Sequence, residues 1–97
     1  MITSKQRAYL KKLASSITPT FQIGKGGVVD SQIAQIDDYL RVHELVKVKV
    51  LDNSLYTAKE ALIEISEKIN AEPVCSIGSM LILYKKNPKE PKIILPR

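Results

Sequence analysis

The sequence predicts one α/β domain in which helices pack on a four-stranded mixed sheet, with elements in the order αβαβαββ. Three observations carry this. Apolar residues recur at helical spacing in three stretches, and alternate or run continuously in four shorter ones. Two strand-like stretches lead through a helix into another strand, which calls for parallel strands and right-handed crossovers. The last two strands flank Gly78-Ser79, a hairpin turn that makes the sheet mixed. A length of 97 residues suits one domain, and 44% hydrophobic with 26% charged residues is an ordinary globular composition.

The first helix is expected over Thr3 to Ser16. Thr3 and Gln6 have capping-box spacing, and Leu10, Leu13, Ala14 and Ile17 form one stripe. Lys5, Arg7, Lys11 and Lys12 take its remaining surface with no acid among them, although surface helices usually mix signs. Thr18-Pro19 ends the helix. Thr20 to Ile23 is a short strand leading into Gly24-Lys25-Gly26-Gly27. The second helix runs from about Asp30, the expected N-cap, to His43, with Val29, Ile33, Ile36 and Leu40 on one face. Arg41 lies on another.

Leu45 to Leu51 is the clearest strand. Val46, Val48 and Val50 point one way, Lys47 and Lys49 the other. Asp52-Asn53-Ser54 is turn chemistry. Thr57 and Glu60 form the capping box of a third helix, whose stripe is Ala58, Ala61, Leu62, Ile65 and Ile69. Glu64 and Lys68 are spaced as an i,i+4 pair. Asn70 suits a left-handed C-cap, and Pro73 prevents continuation. Val74 to Ile77 and Met80 to Lys85 are the closing strands. The second is apolar throughout its first five residues, as a central strand would be. Residues 86–97 read as a basic tail without a core pattern, in which Ile93-Ile94-Leu95 either adds an edge strand or packs back.

Charge narrows the function. The net charge is +5. Over residues 53–72, Lys59 and Lys68 stand against Glu60, Glu64, Glu67 and Glu72, a net of −2, so the rest sums to +7. A basic surface with one acidic region fits an oriented polyanion partner. One cysteine, Cys75, leaves no internal disulfide or zinc site and fits a reducing compartment. No apolar run reaches the roughly 20 residues that span a membrane, and the N-terminus lacks a signal pattern, so the expected location is cytoplasmic.

Three glycines around one lysine, between a strand and a helix, are a phosphate cradle in form. A Walker A loop needs G-x-x-x-x-G-K-[ST], which is absent. A dinucleotide fingerprint needs a small third residue where Val29 stands. Gly24 and Gly27 instead give G-x-x-G, the spacing of loops that clamp a nucleic-acid backbone. The plain alternative is a tight turn with a solvated lysine. Catalysis is hard to assemble from these residues. His43 is the sole histidine, Asp37 and Asp38 point apart, and lysines alone do not supply both acid and base.

Four separated segments resemble the bacterial stand-alone CRM-domain proteins, the YhbY-like family. They are Thr3-Ser4-Lys5-Gln6-Arg7, Ile23-Gly24-Lys25-Gly26-Gly27, His43 through Lys49, and Ser76-Ile77-Gly78 leading to Leu83-Tyr84-Lys85. The resemblance implies a fold similar to the C-terminal domain of the third bacterial initiation factor. It implies a non-catalytic RNA-binding domain, here residues 1–85; a monomer without cofactor, metal, membrane or small-molecule substrate is expected. It further implies a role on large-subunit ribosomal RNA during ribosome assembly. Absence of a transit peptide and of further domains favours that bacterial role over organellar splicing. The loop residues Gly24, Lys25, Gly26 and Gly27 would hold phosphates, and Lys5, Arg7, Lys11, Lys12, Arg41, Lys47 and Lys49 would extend the contact. With few aromatics, RNA shape and backbone should dominate over base stacking. The other reading is a basic protein-interaction adaptor that does not touch RNA.

Overall fold

In the computed structural model, which describes residues 2–54 and 56–96, three helices and four strands follow the expected order. They are α1 (Ser4–Ala14), β1 (Phe21–Ile23), α2 (Asp30–His43), β2 (Leu45–Val50), α3 (Ala58–Ile69), β3 (Glu72–Ile77) and β4 (Met80–Tyr84). Met1 and Arg97, the ends of the two expected segments, lie outside the described residues. The sheet order is β1-β2-β4-β3. β1 and β2 are parallel across α2, and β4 is antiparallel to both of its neighbours. β2 and β3, joined through α3, are therefore also parallel, with β4 inserted between them. The apolar β4 is central, as its composition requires.

The sheet separates two cores. Val46, Val48, Val50, Leu81 and Leu83 pack with Ile23 against the stripes of α2 and α3. On the other face Leu10 and Ala14 of α1 cover Leu45, Ile82 and Tyr84. Both capping boxes form. Thr3 Oγ1 accepts from the Gln6 N–H while Gln6 Oε1 accepts from that of Thr3, and Thr57 and Glu60 repeat the pattern. Each cap of this kind contributes about 1 kcal/mol. Asn70 ends α3 in the left-handed region at φ 59°. No helix among the described residues is long and apolar enough to cross a membrane.

Several local expectations are corrected. The N-cap of α2 is Val29, without a side-chain hydrogen bond, because the chain leaves the glycine loop extended and the Val29 carbonyl takes the first helical bond, from Ile33. Asp30 is then the first helical residue, and Val29 is exposed rather than part of the stripe. Glu64 accepts from the Tyr56 hydroxyl, and the Lys68 ammonium lies 3.8 Å from Asp30. Tertiary neighbours thus supply partners for both residues of the expected i,i+4 pair. β3 starts at Glu72 and includes Pro73. A proline is tolerated there because β3 is an edge strand, and the register shifts between Pro73 and Cys75.

The segment after Lys85 packs back instead of adding a strand. Ile93 and Leu95 join the α1-side core, with Ile94 between them exposed. Its anchor is Glu44, a fully buried carboxylate in the left-handed turn that ends α2, at φ 66°. Glu44 Oε2 accepts from the Asn87 N–H at 2.8 Å, and Oε1 accepts from the N–H groups of Lys92 and Ile93. Burial pushes the Glu44 carboxyl up. The donors from Asn87, Ile93 and Lys92, with the Lys92 charge, outweigh that and hold it below the ordinary carboxylate range. The Gln6 amide completes the attachment by donating to the Pro96 carbonyl.

Candidate nucleic-acid interface

The glycine loop is a β-turn. The Gly27 N–H donates to the Gly24 carbonyl at 2.9 Å, with Lys25 and Gly26 at its centre. Gly27 has φ 73°, and a Cβ there would meet the Tyr56 ring at 2.8 Å, so both conformation and space demand glycine. Tyr56 is held over the loop by its hydroxyl bond to Glu64, whose charge raises the phenol pKa. Gly26 differs. Its φ is negative, it is exposed, and nothing lies within 4 Å of a Cβ built on it. The fold itself sets no requirement for glycine at that position. Lys25 is exposed at the tip. The adjoining helix N-terminus carries its own carboxylate, Asp30, which works against the anion site expected there.

The α1 face of the sheet carries the other cations. α1 runs along the sheet from Tyr84, beside Gln6, to Met80, beside Lys11 and Ser15. Its C-terminal end stops short of the last row of paired residues, Gln22, Lys49, Met80 and Ile77, one from each strand. That row lies next to the glycine loop, which starts two residues after Gln22. Lys47 lies one row nearer α1 and donates to the Ala14 carbonyl at 3.3 Å, so it closes the helix end and keeps further donors free. Burial raises the Cys75 thiol pKa against the opposing pull of Lys11, Arg7 and Lys47, three cations that converge over the β3–β4 side. Lys5 and Lys12 are exposed on the same helix. The structure thus brings Arg7, Lys11, Lys47 and Lys49 onto one face, with Lys25 at the end of the sheet they approach.

Arg41 does not join them. It sits at the end of α2, across the sheet, where it pairs with Asp37 at 3.1 Å. Its surroundings are Lys85, Lys86, Asn87 and Lys89, at the opposite end of the sheet from the loop. Lys85 is structural, bonded to Asp37 at 2.9 Å and to the Ile69 carbonyl at 2.7 Å, where it closes α3. His43 stacks on Tyr39 with centroids 4.1 Å apart, a packing role. Tyr56 and the uncovered pair Ile77 and Met80 were not among the sequence candidates. Tyr56 carries no local signal, and the exposure of the pair follows from where α1 stops.

Comparison with known proteins agrees with this architecture. The CRS1/YhbY (CRM) domain family model matches residues 2–85. The probable RNA-binding protein YqeI of Bacillus subtilis is 38% identical over 96 residues, covering 99% of this chain and 100% of that protein. An RNA-binding protein of Haemophilus influenzae is 35% identical over 96 residues, covering 99% and 96%. The solution structure of a hypothetical Staphylococcus aureus protein, described as a candidate RNA binder, superposes with a TM-score of 0.83 at 46% identity, covering 99% of this chain and 100% of that one. The family match across nearly the whole αβαβαββ unit, with the fold it accompanies, places the chain in the CRS1/YhbY (CRM) domain family.

Proposed function

We propose that this protein binds RNA without catalysing a reaction, on the face formed by α1, the Lys47–Lys49 side of β2 and the glycine loop. The observation that carries the reading is the segregation of charge by the sheet. Arg7, Lys11, Lys47 and Lys49 lie on the α1 face, whereas the carboxylates of α3 belong to the opposite layer. Gly26 adds support, because a glycine that the fold does not need leaves room for a backbone approaching from outside. The names of the relatives point the same way. Lys25 and the loop N–H groups hold phosphates in this reading, and Lys5 and Lys12 extend the track. Arg41 is at most a peripheral contact. The partner we favour is large-subunit ribosomal RNA in an assembling particle, which rests on the family resemblance. The protein acts there as a cytoplasmic monomer, with residues 1–85 as the RNA-binding domain and residues 86–97 serving the fold.

Crosslinking to RNA in cells, followed by sequencing, tests this. Reads concentrated in large-subunit precursor RNA, with co-sedimentation of the protein on those precursors, are expected. Absence of RNA crosslinks, together with a protein partner that survives RNase digestion, would replace the reading with that of an adaptor.

A further inference from the structure

α1 ends before the sheet does, and on the β3–β4 side what it leaves uncovered is apolar. Ile77 is 48% exposed, and Met80, its partner across the β3–β4 ladder, is half-buried. With Ile82 as the floor these side chains form a slot of about 240 Å3, closed on the helix side by Lys11, Ser15 and Lys47. Its walls offer few polar groups. Ser15 Oγ is turned back to the Lys12 carbonyl, and Lys47 already holds the Ala14 carbonyl. A phosphate gains nothing from an aliphatic floor, whereas the face of a heterocycle does. The volume is below the roughly 300 Å3 at which pockets for whole small molecules begin, and it suits one planar ring system. The rim supplies the matching charge. Lys11 and Lys47 stand on one side, and Lys49 is the paired neighbour of Met80.

We propose that this slot receives one unpaired base of the bound RNA strand, laid against Met80 and Ile77, while Lys11, Lys47 and Lys49 take the flanking phosphates. The inference rests on the RNA-binding reading and adds to it a preference for a single-stranded nucleotide at a defined place. It is one slot, not a platform, so backbone contacts still dominate the affinity. The aliphatic lining discriminates little between bases, because every base has an apolar face.

The experiment compares a short single-stranded RNA with a ribose–phosphate chain of equal length and charge that lacks bases. Wild-type protein should prefer the RNA by roughly two- to fivefold, below what stacking one base on an aromatic ring contributes, because the slot is aliphatic. Ile77→Ser and Met80→Ala should remove the preference and leave the slope of log K against log salt unchanged, because no phosphate contact is lost. Ile77 is largely exposed, so its variant tests the slot even if Met80→Ala impairs folding. Equal binding of the two chains by wild type would overturn the slot, as would a preference that survives in folded Ile77→Ser. Failure of wild type to bind either chain or a folded RNA hairpin at low salt would instead overturn the RNA-binding reading.

Discussion

The Ile93 N–H donates to the Glu44 carboxylate at 2.8 Å across 49 residues of sequence. That carboxylate also takes donors from Asn87 and Lys92 and is fully buried, so the end of the chain is fastened from inside the fold. Glu44→Gln turns an amide toward backbone donors and should cost about 1–3 kcal/mol, the penalty of unsatisfied buried groups. Removing residues 86–97 should cost less in Glu44→Gln than in wild type, because the two changes break the same contacts. Urea denaturation of the four proteins measures the coupling.

The same contacts fix a pH dependence. The folded pKa of Glu44 lies below its ordinary value. A depressed carboxyl stabilises the fold above its unfolded pKa and loses that contribution as pH falls through the folded one. Attachment of the tail should therefore be full at neutral pH and fade below about pH 4.3, the unfolded value. Glu60 is also lowered, by its capping bonds to Thr57, so stability alone mixes the two groups. Following the amide signals of Asn87, Lys92 and Ile93 by NMR isolates Glu44, and Glu44→Gln should flatten their acid transition.

The loop glycines should separate fold from function. Gly27→Ala meets Tyr56 and a positive φ, and should destabilise by more than about 1 kcal/mol. Gly26→Ala has no steric obstacle and should stabilise by about 0.4–1 kcal/mol, through the lower entropy of the unfolded chain. If RNA backbone approaches the loop, Gly26→Ala should nonetheless bind more weakly. Thermal melts paired with RNA titrations would show it, and unchanged affinity in Gly26→Ala would remove the close-approach role.

Salt titrations should rank the lysines. Each lost phosphate contact lowers the slope of log K against log salt by about 1. Lys25→Ala and Lys11→Ala should each do so. Lys68→Ala should not, because Lys68 belongs to α3, which packs on the sheet face opposite α1. A comparable slope loss in Lys68→Ala would reverse the orientation of the bound RNA. Lys47→Ala should lose both slope and stability, since the same ammonium closes α1.

The sequence by itself determined what depends on neighbours a few residues away. Capping boxes at Thr3 and Thr57, the left-handed Asn70, the alternation of Val46, Val48 and Val50, and the central place of β4 were all legible. Those signals are local because caps and period-two burial act within one turn or one strand. The family segments were legible in the same way. Tertiary structure alone decided which cations share a face. Nothing near Arg41 says that it lies across the sheet from Lys11, and nothing near Lys47 says that it closes a helix 33 residues earlier. The role of Glu44 was equally hidden. A charged residue at a helix end reads as solvated, and only the returning tail, with backbone donors from Asn87, Lys92 and Ile93, makes its burial affordable. The slot beside Met80 has the same origin. Its residues follow an ordinary strand pattern, and their exposure exists because α1 is shorter than the sheet it covers.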